Sequence, residues 1–115
     1  MAEETSDLKR MRCQACEGGV EPLTRDDAEV FLRQTPGWTI SGDSKEISRT
    51  YIFKNFYETM AFVNALAWIA HVEDHHPDFE VGYKTCDVRY STHAIKGLSV
   101  NDFICAAKVN GLIGE

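Results

Sequence analysis

The chain has 115 residues, 43 % of them hydrophobic, which sets an expectation of one domain with one modest core needing no disulfide support. Eighteen acidic against 12 basic side chains leave a formal charge of −6. That argues against a general binder of phosphate backbones, which presents a basic face. No run approaches the roughly 18–20 apolar residues of a membrane span. The start, MAEETSDLKRMR, has no apolar h-region behind it, so the cytoplasm is the expected compartment.

Residues 1–22 read as a polar, loosely held leader, and residues 23–115 as the folded domain. The leader carries Cys13-x-x-Cys16, the spacing of half a zinc ribbon or of a redox pair. A structural zinc site usually needs four ligands, and no second close cysteine pair exists. A redox motif should open a helix, yet Gly18-Gly19 and Pro22 follow here. The leading expectation is incidental thiols. A metal clip borrowing ligands from elsewhere and a redox pair stand as alternatives. Cys86 and Cys105 fall on strand and helix patterns and are expected to be small buried hydrophobes.

Thr24 can cap a first helix, with Asp27 three residues on. Ala28, Phe31 and Leu32 give that helix its apolar face, and Pro36-Gly37 ends it. Trp38 and Ile40 then alternate with polar residues. Ser41-Gly42-Asp43 supplies turn chemistry. Ile47, Thr50, Ile52 and Phe53 make a second β-rich run. Asn55 can cap a long helix whose apolar face is read as Phe56, Met60, Val63, Leu66, Ala67 and Ala70. Trp68 and Ile69 widen that face, and Pro77 is expected to stop the helix.

Phe79 and Val81 alternate in the next strand, and Gly82 allows a bend. Beyond it, Cys86, Val88 and Tyr90 share one face, and Asp87, Arg89, Ser91 and His93 the other. Ser99 caps a last helix with Asp102 three positions on. The order is helix, two strands, helix, two strands, helix. Strand pairs joined by short turns imply an α+β fold: a four-stranded antiparallel sheet with three helices packed on one face. Its open edge strands would need protection or pairing.

All four histidines lie between positions 71 and 93. His71 and His75 share a helix face if the helix reaches that far. His76 would then point about 100° away from His75, so the two cannot do one job from one direction. His93 sits near a strand end, before a turn. Imidazole titrates nearest neutral pH, so the cluster suggests proton handling or metal binding. Glu73 and Asp74 oppose the helix dipole at a C-terminus, an inconsistency that leans towards function. HVEDH shares only its histidines with the zinc-protease motif HExxH, since its glutamate is one place late.

His75-His76-Pro77, the strand pair, Thr92-His93, Gly97-Leu98-Ser99 and Asp102 together resemble the signature of the pterin-4a-carbinolamine dehydratases. The resemblance spans about residues 24–113, including Pro36-Gly37-Trp38 and Lys54-Asn55-Phe56. It implies the α+β fold just described and a hydro-lyase activity. Water would leave 4a-hydroxytetrahydrobiopterin, the pterin-4a-carbinolamine, to give quinonoid dihydropterin. That step recycles the cofactor of aromatic amino-acid hydroxylases in phenylalanine metabolism. No metal or organic cofactor is implied.

The resemblance further implies a catalytic set of His75, His76 and His93. His76 or His93 would donate to the departing hydroxyl while the other orients the ring, and His75 would accept the proton of ring nitrogen N5. Asp102 would orient His93 or contact substrate. Asp74 would position a histidine, and the backbone of Tyr90, Ser91 and Thr92 would read the pterin's amide edge. His71 stands where several animal members carry glutamate. Family members form homodimers or homotetramers with sheets joined across subunits. Association with phenylalanine hydroxylase is one expected partnership, without direct nucleic-acid or membrane contact. Vertebrate relatives also serve as dimerisation cofactors of a homeodomain transcription factor, so a regulatory binding module is the alternative function. A metal protein using the cysteines and histidines is another.

Overall fold

The computed structural model describes residues 7–15 and 20–115. Cys16 and the Gly18-Gly19 pair lie outside them. The elements are α1 (Arg25–Leu32), β1 (Thr39–Ile40), β2 (Ile47–Ile52), α2 (Phe56–Glu73), β3 (Asp78–Val81), β4 (Thr85–Tyr90) and α3 (Val100–Gly111). The four strands form one antiparallel sheet in the order β1-β2-β4-β3, so β2 and β4 are central and β1 and β3 are edges.

Side chains alternate across a strand, and the inward set is clear in the two central strands. Ile47 and Tyr51 of β2 and Cys86, Val88 and Tyr90 of β4 are buried. The outward Thr50 hydroxyl donates to Asp87 across the pair at 2.8 Å. The three helices cover the inward face. Ala28 of α1, Phe62 and Leu66 of α2, and Phe103, Ile104 and Val109 of α3 join the inward strand residues in one cluster. Each large apolar side chain fully buried there stabilises the fold by roughly 1.5–3 kcal/mol. Cys86 and Cys105 are both inside it, as their patterns suggested.

All three helix starts follow the sequence. Thr24 accepts from the Asp27 N–H, Asn55 from the Glu58 N–H, and Ser99 with Asp102 closes a capping box. The long helix departs from expectation twice. Of the expected face Leu66 and Ala70 are buried, and Thr59, Phe62 and Glu73 complete the buried stripe in place of Phe56, Met60, Val63 and Ala67. Phe56 and Trp68 face outward, 40 % and 65 % exposed. The helix is apolar on more than one side, so periodicity alone could not choose the buried face. It also stops at Glu73, before Pro77 could act. Asp74 takes the left-handed conformation at φ 52°, and the Asp74 and His75 N–H groups bond back to the last turn. Aspartate tolerates that conformation better than most residues. His71 and His75 therefore share no helix face.

The stretch read as a loose leader packs against α3 in residues 7–15. Leu8, in a short 3₁₀ turn over Leu8–Arg10, is 1 % exposed and belongs to the core cluster. Lys108 donates to the Lys9 carbonyl at 2.8 Å. Among the described residues no helix is long and apolar enough to cross a membrane.

Candidate active site

β3 and β4 pair with Asp78 opposite Arg89. Antiparallel pairing brings the chain entering one strand beside the chain leaving the other. Residues 75–77 therefore come to lie beside residues 91–93. A cleft of about 650 Å³ opens there, walled by residues 72–78, residues 91–94, and Cys13–Ala15 with Asn101. His75, His76 and His93 all line it. Sixteen residues of chain lie between the second and third of these imidazoles; the sheet register unites them.

The three are not equivalent. His76 and His93 are exposed, whereas the His75 side chain is 13 % exposed. His75 Nε2 lies 2.7 Å from Asp102 Oδ1. The Asp102 side chain is fully buried. Its other oxygen, Oδ2, accepts from the Thr92 hydroxyl at 2.8 Å and the Ser99 N–H at 2.9 Å. One carboxylate thus closes the helix cap with one oxygen and holds an imidazole with the other. The Thr92 hydrogen is spent on Asp102, so the Ser99 hydroxyl donates to Thr92, 2.8 Å away. Tyr90 backs the assembly, its ring 5.8 Å from that of His75 and within 7° of parallel. Burial pushes the Tyr90 phenol well above its ordinary pKa, with nearby Cys105 adding to the effect, so it serves as a neutral platform.

The expected residues sort accordingly. Asp102, expected to orient His93 or contact substrate, bonds His75 instead of His93, because the cap that fixes its carboxylate aims Oδ1 at the loop after α2. Asp74 lines the cleft and makes the left-handed turn that releases His75 and His76 from the helix. Ser91 and Thr92 line the cleft, while Tyr90 sits behind it. The Thr92 backbone is engaged within its own turn: its N–H donates to Gly97, and its carbonyl accepts from Ile95 and Gly97. His71 is not among the cleft residues. It is exposed on the last turn of α2, its ring 5.2 Å from that of Trp68. Among the described residues no group of three or more His, Cys, Asp or Glu side chains is arranged to hold a metal ion.

Glu73, Asn101 and Cys13–Ala15 join the cleft beyond the expected site residues. The Glu73 side chain is 4 % exposed and accepts from the Cys13 N–H at 2.8 Å. Arg12 and Lys108 lie 3.2 and 3.6 Å from the carboxylate. The sequence did carry a signal here, an acid where the dipole disfavours one; the structure assigns it to a clamp on the leader. Burial alone would raise the Glu73 pKa. The Cys13 N–H, then Lys108 and Arg12, outweigh it and hold the carboxyl below its ordinary 4.5.

A carboxyl with a depressed folded-state pKa contributes stability that is complete above its unfolded value and lost as pH falls through the folded one. The hydrogen-exchange protection of the Cys13 amide, corrected for intrinsic rate, should therefore fall as pH drops below about 4.5. Glu73→Gln should flatten that dependence. Protection in the parent protein that stays constant through the acid range would contradict the clamp.

A helix-covered antiparallel sheet, with three imidazoles lining one cleft and a buried carboxylate behind one of them, defines an α+β protein with a histidine-rich cleft. Residues 21–112 match the family described as Pterin 4 alpha carbinolamine dehydratase, and the chain belongs to that family. A provisionally named pterin-4-alpha-carbinolamine dehydratase of Nitrosomonas europaea is 61 % identical over 107 residues, covering 92 % of this chain and 93 % of the relative. One from Nitrosomonas eutropha, also provisionally named, is 58 % identical over 108 residues, covering 93 % and 94 %. The crystal structure of a transcriptional coactivator/pterin dehydratase from Brucella melitensis superposes with a TM-score of 0.78 at 31 % identity, covering 82 % of this chain and all of that one. A pterin dehydratase-like protein identified as a RuBisCO assembly factor in the alpha-carboxysome, at 22 % identity and a TM-score of 0.61, shares the fold.

Proposed function

We propose that this protein is a hydro-lyase that dehydrates 4a-hydroxytetrahydrobiopterin to quinonoid dihydropterin by histidine acid–base catalysis. In that role it recycles the pterin cofactor of aromatic amino-acid hydroxylases. The observation that carries the reading is the convergence of His75, His76 and His93 on one cleft, with His75 fixed by a buried aspartate.

The reaction breaks the C4a–O bond and forms the C4a=N5 double bond. The hydroxyl must gain a proton to leave as water, and N5 must lose one. A group titrating near neutrality serves both needs, typically for about 10²–10⁴-fold each. Carboxylate oxygens only accept, so the neutral His75 ring places its hydrogen on Nε2, towards Asp102. Nδ1 is left with its lone pair. That tautomer suits His75 to accept the N5 proton. His76 and His93 are exposed, and one of them donates to the departing hydroxyl while the other orients the ring. Because the Thr92 backbone is spent on its turn, the ring's edge falls in this reading to Ser91, which lines the cleft.

The purified protein should accelerate dehydration of freshly generated 4a-hydroxytetrahydrobiopterin, and the rate should persist in excess chelator. A rate equal to the uncatalysed one would sink the assignment. A rate abolished by chelator would replace imidazole acid–base chemistry with a metal-dependent path.

A further inference from the structure

We propose that the N-terminal strap, residues 7–15, belongs to the substrate-binding machinery: Cys13–Ala15 form the third wall of the cleft and set how tightly a flat bicyclic ligand is held. The inference rests on the dehydratase reading of the same cleft. The strap lies outside the stretch, residues 21–112, that matches the family.

Buried partners fasten the strap at several points. Leu8 is buried in the core at its start. Glu73 accepts from the Cys13 N–H at 2.8 Å. The Asn101 side chain pairs with both backbone groups of Gln14, accepting from its N–H at 3.0 Å and donating to its carbonyl at 2.6 Å. Asn101 and Glu73 are themselves cleft residues, so the strap is fastened to the walls it completes. Both are nearly fully buried. A wall held by buried partners is ordered before ligand arrives, which lowers the entropic cost of binding.

The chemistry of the strap limits what it can do. Gln14 and Ala15 carry no ionisable side chain. The Cys13 sulfur is directed at α3, 3.7 Å from the Asn101 carbonyl and 3.6 Å from the Cys105 sulfur. The strap therefore supplies contact area and excludes water, and leaves proton transfer to the histidines. Contacts equal in ground and transition states change KM and spare kcat.

The test compares the full chain with a variant lacking residues 1–20 and with Gln14→Pro, which removes the N–H that donates to Asn101 together with the Gln14 side chain and restricts the backbone at Cys13. Each is assayed for dehydration kinetics and titrated with oxidised biopterin, a non-reacting ligand, by fluorescence. Both variants should show KM and Kd raised by about tenfold, the loss of roughly one net hydrogen bond's worth of binding. Their kcat should stay within about threefold of the parent. Unchanged KM and Kd in a folded variant would overturn the inference, as would a fall in kcat alone. If truncation unfolds the chain, Gln14→Pro decides. A parent that binds biopterin without dehydrating the carbinolamine would fail the catalytic reading, while the strap is still judged on Kd.

Discussion

Replacing His76 or His93 by alanine is expected to lower turnover by about 10²–10⁴-fold while the protein stays folded. Both side chains are exposed at the cleft. Substitutions at such positions usually shift stability by within about 0.5 kcal/mol. A large loss of rate with an unchanged melting temperature would therefore report chemistry. The double variant should lose little more than the worse single one if the two act as a unit on the departing hydroxyl. Turnover retained in both single variants would reject the acid–base assignment.

Asp102→Asn is expected to cost about as much in rate, by a different route. The Ser99 N–H is a fixed donor on Asp102 Oδ2. An asparagine must keep its carbonyl there, which turns its NH₂ towards His75 Nε2. That nitrogen must then accept, and the ring's hydrogen moves to Nδ1. The lone pair proposed to take the N5 proton is lost although no atom need move far. Nitrogen chemical shifts of the His75 ring would show the exchanged tautomer, a change that a merely structural role would not produce. Asp102→Ala also removes the reciprocal half of the capping box, leaving the buried Ser99 N–H without its acceptor, and should cost a further ~1–3 kcal/mol of stability. An Asp102→Asn protein with parental kcat would show that His75 is not the base.

Much of the fold was legible in the residues because local rules and tertiary demands agree there. Thr24, Asn55 and Ser99 each precede a helix with an acid three positions on, and each closes its helix as the spacing requires. The alternation of Cys86, Val88 and Tyr90 could only describe a strand buried on one face. Where the two diverged, the reason is physical. In α2 both possible stripes are apolar, and Thr59 sits in the buried one because its single hydroxyl hydrogen has the Asn55 and Tyr83 carbonyls within reach. The left-handed turn at Asp74 is open to several residue types, so the sequence could not place the helix end ahead of Pro77.

The residue types needed for proton transfer, their grouping between positions 71 and 93, and the doublet before a proline were set by the sequence itself, since chemical identity belongs to the residue. Which of them meet was decided by the tertiary structure. The β3–β4 register set the Thr92-His93 turn beside His75 and His76, and left His71 against Trp68. The α3 cap aimed Asp102 at His75, and burial of Glu73 drew the leader into the wall. These are contacts between segments far apart along the chain. Spacing along a chain carries direction only within one helix or strand, so pairing between elements waits on the packing of the whole.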